Sequence, residues 1–72
     1  MFNKRLREMR MNRKLTHQNL ADSLNMALRS YPHYEQGTRE PSFDMLLRIA
    51  DALDVSLDYL FGRSDDPNSH RK

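Results

Sequence analysis

The stretch that decides the architecture is LTHQNLADSLNMALRSYPHYEQG, residues 15–37. Thr16 stands just before the apolar rhythm of Leu20, Ala21 and Leu24. A threonine there offers its hydroxyl to the unpaired amides of a first helical turn, so Thr16 reads as an N-cap. Asn25 follows, and asparagine tolerates the left-handed backbone that turns a chain sharply after a helix. Met26, Tyr31 and Tyr34 resume the apolar positions, and Gly37 closes the segment as a left-handed cap. The stretch therefore predicts two short helices joined by a tight turn, with the small Ala21 where they approach. Pro32 stands inside the second. Proline lacks an N–H and crowds the carbonyl four residues back. The second helix is thus expected to be kinked or to start late, with Tyr31 pushed out of the α region.

The flanks extend the pattern. Upstream, Phe2, Leu6 and Met9 have helical spacing, which predicts a first helix from an Asn3 cap to about Arg13. Downstream, the TREPS loop ends at Pro41 and Ser42, and Ser42 caps a fourth helix with Asp44 at its positive dipole end. Phe43, Leu46, Leu47, Ala50 and Leu53 form its expected buried stripe. Asp54 and Val55 lead to Ser56, the cap of a fifth helix with Leu57, Leu60 and Phe61, ended by Gly62. No strand pattern or internal repeat interrupts this. The expectation is an all-α fold, a compact bundle of five short helices over residues 1–63, with 64–72 as a polar tail or linker.

Seventy-two residues make one domain at most. The chain has no cysteine, so neither disulfides nor thiolate–zinc sites reinforce it. No apolar run approaches a membrane span or a signal peptide, which suggests a soluble cytoplasmic protein. The net charge of +2 conceals an asymmetry: residues 1–17 carry six basic side chains against Glu8 alone, whereas residues 41–66 are acidic. A basic front and an acidic back suggest one face for a polyanion. His17, His33 and His70 share no metal-ligand spacing, no cofactor motif occurs, and no catalytic constellation can be assembled. The chain does not read as an enzyme.

With Met26, Tyr31 and Tyr34 inward, Ala27, Leu28, Arg29, Pro32, His33 and Gln36 are left on the outward face of the second helix. A helix–turn–helix places such a face in the major groove of double-stranded DNA, where arginine reads guanine and glutamine reads adenine. Tyr31 and Tyr34 are read as core residues rather than stacking platforms. Glu35 and Arg39 are expected to pair and order the loop.

From Leu6 to Phe61 the pieces RLREMR, LTHQNLADSL, YEQGTREPS and LLRIADALDVSLDYLFG appear in one order and spacing. In that set the chain resembles the phage-repressor/Cro-type helix–turn–helix family, also called XRE-type, with a lambda-repressor-like fold. The resemblance implies a sequence-specific DNA-binding transcriptional regulator, commonly a repressor dimer on a palindromic operator. Leu28, Arg29 and Gln36 would then read bases beside Ala27 and Pro32. His17, Gln18, His33, Thr38, Arg39, Arg13 and Lys14 would hold phosphates, and Leu57, Tyr59 and Phe61 would meet a second copy.

Three departures stand out: His17 where the family usually has glutamine, Asn19 where it often closes a capping box with glutamate, and Pro32 where it more often has a polar residue. The first leaves a possible phosphate donor, the second predicts a weaker cap, and the third removes a donor from the groove face. The alternative reading is a protein-interaction module of the same fold, such as an antitoxin or coactivator. A further one is the DNA-binding part of a longer regulator.

Overall fold

A computed structural model describes residues 2–68. Helix ends follow the local chemistry closely. Thr16, Ser42 and Ser56 each accept a hydrogen bond from the backbone N–H three residues on. The five helices are α1 Phe2–Asn12, α2 His17–Ser23, α3 Pro32–Gln36, α4 Phe43–Leu53 and α5 Leu57–Leu60. Left-handed residues turn the chain between them: Asn25 (φ 56°), Gly37 (φ 81°) and Asp54 (φ 53°).

Several expectations are corrected. Asn3 is not the cap of α1, which already begins at Phe2. Its side-chain amide donates instead to the Tyr34 carbonyl at 3.3 Å. That amide lies where a β-carbon on Gly37 would stand, 2.5 Å away, so glycine serves both the left-handed cap and the close approach of α1. The cap of α2 is a complete box: Thr16 Oγ1 accepts from Asn19 N–H at 3.0 Å, and Asn19 Oδ1 accepts from Thr16 N–H at 2.9 Å. Asparagine is shorter than glutamate, yet it closes the same reciprocal pair.

Pro32 delays α3 rather than kinking it. It takes the first helical position, where its missing donor is not needed. Residues 28–31 form turns ahead of it. Tyr31 nevertheless keeps α-region angles (φ −62°, ψ −44°), contrary to the local preference before proline. Its ring is fully buried against Tyr34 and His17, and that packing outweighs the preference.

The core joins Leu6 and Met9 of α1, Leu20, Ala21 and Leu24 around α2, Tyr31 and Tyr34, Ile49 and Leu53 of α4, then Val55 and Leu60. The expected stripe of α4 is rotated: Phe43 (69% exposed) and Leu47 (42%) face outward, while Ile49 is buried and Met45 packs on the core. Both sets have helical spacing, and only the packing partners select between them. Phe61 is 48% exposed and stacks on Phe2, with ring centroids 5.1 Å apart. The Cα radius of gyration is 11.1 Å, close to the ~11 Å of a compact folded chain of this length. The described residues form a compact all-α bundle of five helices.

Residues 64–68, read from sequence as the start of a tail, return across α5. The Ser56 N–H donates to the Pro67 carbonyl at 3.0 Å, and Val55 and Asn68 form an isolated antiparallel bridge. Arg5 fastens this strap by donating to the carbonyls of Tyr59 (2.7 Å) and Ser64 (2.9 Å). Its guanidinium also lies 4.2 Å from the centre of the Tyr59 ring. Residues 69–72, with His70, lie outside the described residues. Two part-buried hydrogen bonds and a cation–π contact predict that Arg5→Ala lowers stability by about 2 kcal/mol. Arg7→Ala, at an exposed position, should stay within about 0.5 kcal/mol of the parent in the same thermal melts.

Candidate nucleic-acid interface

The turn between α2 and α3 is built from backbone upward. Asn25 in the left-handed region reverses the chain, and Met26 N–H donates to the Ala21 carbonyl at 2.9 Å. Ala21, with no exposed surface, lets the chain after the turn close onto α2. Tyr31 and Tyr34 then enter the core edge to face, their ring centroids 6.2 Å apart. This anchoring leaves Ala27, Leu28, Arg29, His33 and Gln36 exposed, with Pro32 half-buried. Leu28 and Arg29 stand on the turns before α3, and His33 and Gln36 on the helix itself. The Arg29 side chain makes no ion pair or hydrogen bond within the described residues.

The residues expected on phosphates fall into two groups. Lys14 and Arg39 are exposed, with side chains that hold no partner among the described residues. His33 Nδ1 lies 2.7 Å from Thr38 Oγ1, which fixes both side chains at the end of α3. Gln18 donates to Asp22 at 2.7 Å on the exposed side of α2. Arg13 is different: its guanidinium donates to the carbonyls of Leu53 (3.0 Å) and Asp54 (3.3 Å), capping the negative end of α4. Arg5 and Arg10 are engaged internally as well. Half of the basic front therefore serves the fold, leaving Lys4, Arg7 and Lys14 with side chains unpaired among the described residues.

Beneath the interface lies a cluster that sequence reasoning missed. Glu35 pairs with Arg10 of α1, not with Arg39: Arg10 Nε donates to Oε2 at 2.7 Å and a terminal nitrogen to Oε1 at 3.3 Å. Arg10 also donates to the Leu15 carbonyl at 2.8 Å. His17 Nε2 approaches the same Glu35 Oε1 at 3.4 Å. Both partners of the ion pair are nearly withdrawn from water, with 13% and 6% of their side chains exposed. Burial alone would raise the Glu35 carboxyl, but the Arg10 hydrogen bonds and charge, with His17 beside them, hold it below the usual carboxylate value. Burial first, then Glu35, push the Tyr31 phenol far above its usual value. No spacing rule joins residues 10, 17, 31 and 35; three segments bring them together.

Of the dimer residues expected from sequence, Leu57 and Tyr59 pack partly against the core, Tyr59 beneath Arg5, whereas Phe61 keeps an exposed face. Among the described residues no helix is long and apolar enough to cross a membrane.

Comparisons of sequence point to one family. A helix-turn-helix family model matches residues 6–60. The chain is 46% identical over 67 residues to the uncharacterized HTH-type transcriptional regulator YqaE of Bacillus subtilis, covering 92% of this chain and 58% of that protein. It is 44% identical over 48 residues to the cryptic phage CTXphi transcriptional repressor RstR of Vibrio cholerae, covering 67% and 43%. A third relative, the HTH-type transcriptional regulator ImmR of Bacillus subtilis, is 36% identical over 62 residues, covering 86% and 49%. The chain thus spans about two-fifths to three-fifths of the length of these relatives. No solved structure matches it significantly. Capped α2, the Asn25 turn, tyrosine-anchored α3 and this ancestry converge: the chain belongs to the XRE-type helix-turn-helix family of DNA-binding domains.

Proposed function

We propose that the domain is the DNA-reading part of a cytoplasmic transcriptional repressor that binds a palindromic operator as a homodimer. The observation that carries this reading is the outward face around α3. Leu28, Arg29, His33 and Gln36 are exposed together while Tyr31 and Tyr34 hold the segment from behind. Leu28 suits a thymine methyl, and Arg29 and Gln36 have the donors that base edges require. His17, Gln18, Lys14, Thr38 and Arg39 flank that face and would hold phosphates. Arg13, engaged on α4, carries no part of the proposal. The half-exposed Phe61, with Phe2 stacked on it, supports a second copy near α5. Two domains so joined would present their reading faces about 34 Å apart.

Selection of bound duplexes from a random pool tests this directly, because it returns the half-site and its spacing together. Binding to the selected site should fall steeply with salt, as phosphate contacts demand. Arg29→Ala should weaken it by about 1–3 kcal/mol and relax preference at one base pair. Equal loss on selected and random DNA would show instead that Arg29 only holds the backbone. No binding at ~50 mM salt would refute the DNA-reading role and favour a protein partner.

A further inference from the structure

The Arg10–Glu35 pair is internally neutral, and His17 stands against it as the member whose charge can change. Its imidazole lies at the first residue of α2, with 40% of the side chain exposed and Nε2 3.4 Å from Glu35 Oε1. The ring is tilted against Tyr31, at 5.7 Å between centroids. An open cleft of about 420 Å³ is lined by Arg7, Arg10, His17, Pro32, Glu35 and Gln36. From α1 the imidazole faces Arg7 and Arg10; from α3 it faces Glu35 and the neutral Gln36, and from the turn before α3 the Tyr31 ring.

We propose that His17 is a proton-linked phosphate contact: it takes up a proton when DNA binds, and Glu35 positions the resulting imidazolium. This rests on the reading of the α2–α3 face as the DNA interface. Histidine is the side chain whose charge changes between pH 5 and 8. With His17 neutral, the Arg10–Glu35–His17 cluster carries no net charge; with His17 protonated it carries one positive charge. Glu35 remains ionised well into acid because Arg10 holds it. Its carboxylate, 3.4 Å from Nε2, is the anion that faces an imidazolium at this position. A phosphate at the cleft mouth adds a second anion on the solvent side, and the two anions together stabilise the added proton. By reciprocity, whatever proton uptake DNA causes must appear as tighter DNA binding at lower pH. Arg7 and Arg10 oppose that proton, so the linkage exists only because Glu35 and the incoming phosphate outweigh them. His33 stands apart, its Nδ1 turned to Thr38.

The test measures the affinity of the full chain for a duplex selected from a random pool, by anisotropy at fixed ionic strength from pH 8 to 6. The parent should tighten as pH falls, approaching about tenfold per unit where one proton is taken up. His17→Gln should flatten this to less than about twofold over the whole range, whereas His70→Gln should keep the slope. In nitrogen-edited spectra the His17 ring should titrate at higher pH with DNA than without. A parent slope below about twofold, a slope that survives His17→Gln, or an unmoved imidazole titration would overturn the linkage while leaving the DNA-binding role intact. Absence of binding at both pH 6 and pH 8 in ~50 mM salt would overturn both.

Discussion

Arg10→Ala should cost the domain about 3–5 kcal/mol, a large part of the stability of any fold this small. The reason lies in what is left behind. Glu35 has 6% of its side chain exposed and takes two hydrogen bonds from Arg10. Without them a buried carboxylate faces only His17 and the Tyr31 ring, and must either stay charged in a dry site or take up a proton. The Leu15 carbonyl also loses its donor. Replacing both partners with apolar residues of similar size, as in Arg10→Met with Glu35→Leu, should recover at least about 2 kcal/mol over the single variant. Urea unfolding of the three proteins decides the matter. A loss below about 1 kcal/mol for Arg10→Ala would mean that the pair is solvated in solution.

The same pair sets an acid limit. A carboxyl whose value is lowered by folding contributes its full stabilisation above the ordinary carboxylate range. It loses that contribution as pH falls through its folded value. Glu35 is lowered in this way. The urea midpoint of the parent should therefore decline between about pH 5 and pH 3, and Glu35→Gln should decline less steeply.

Tyr31→Ala is the second large effect, at about 3–5 kcal/mol. Tyr31 is the largest fully buried side chain among the described residues, and it contacts both Tyr34 and His17. It also holds the turn that delivers Leu28 and Arg29, so DNA binding should fall with stability even in conditions where the variant stays folded. Tyr31→Phe separates packing from polarity. Among the described residues the buried Tyr31 hydroxyl has no hydrogen-bond partner of good geometry, although Glu35 lies nearby. Removing an unsatisfied hydroxyl should be nearly neutral, within about 1 kcal/mol, in thermal melts. A large loss on Tyr31→Phe would show that the hydroxyl is in fact bonded to Glu35.

Much of the scaffold was legible because it depends on neighbours in the chain. A hydroxyl cap acts on the amide three residues later, as at Thr16, Ser42 and Ser56, and a left-handed turn is a property of one residue, as at Asn25 and Gly37. The inward placing of Tyr31 and Tyr34, and so the outward placing of Arg29 and Gln36, followed from helical spacing across a single segment. Pro32 was half legible: its presence required a kink or a late start. Only the packed structure chose the late start, because the buried Tyr31 ring holds its own backbone in place.

What periodicity left open was everything that depends on partners far along the chain. Phe43 and Leu47 have the spacing of a buried stripe, yet packing into the shared core turns Ile49 inward and leaves those two in water. Glu35 has Arg39 four residues away, but Arg10 is 25 residues distant and shares its dry pocket, where an ion pair is least screened. Counting charges gave a basic front of six. The fold turns Arg5, Arg10 and Arg13 onto its own carbonyls and carboxylates, so charge per segment overstates what can meet a polyanion. By itself the sequence determined the hydroxyl caps of α2, α4 and α5 and the turn between α2 and α3, since each is a local contest between backbone and side chain. Tertiary structure alone decided which cations stay available, which apolar stripe is covered, and that His17 sits against Glu35, because those depend on distances that only folding creates.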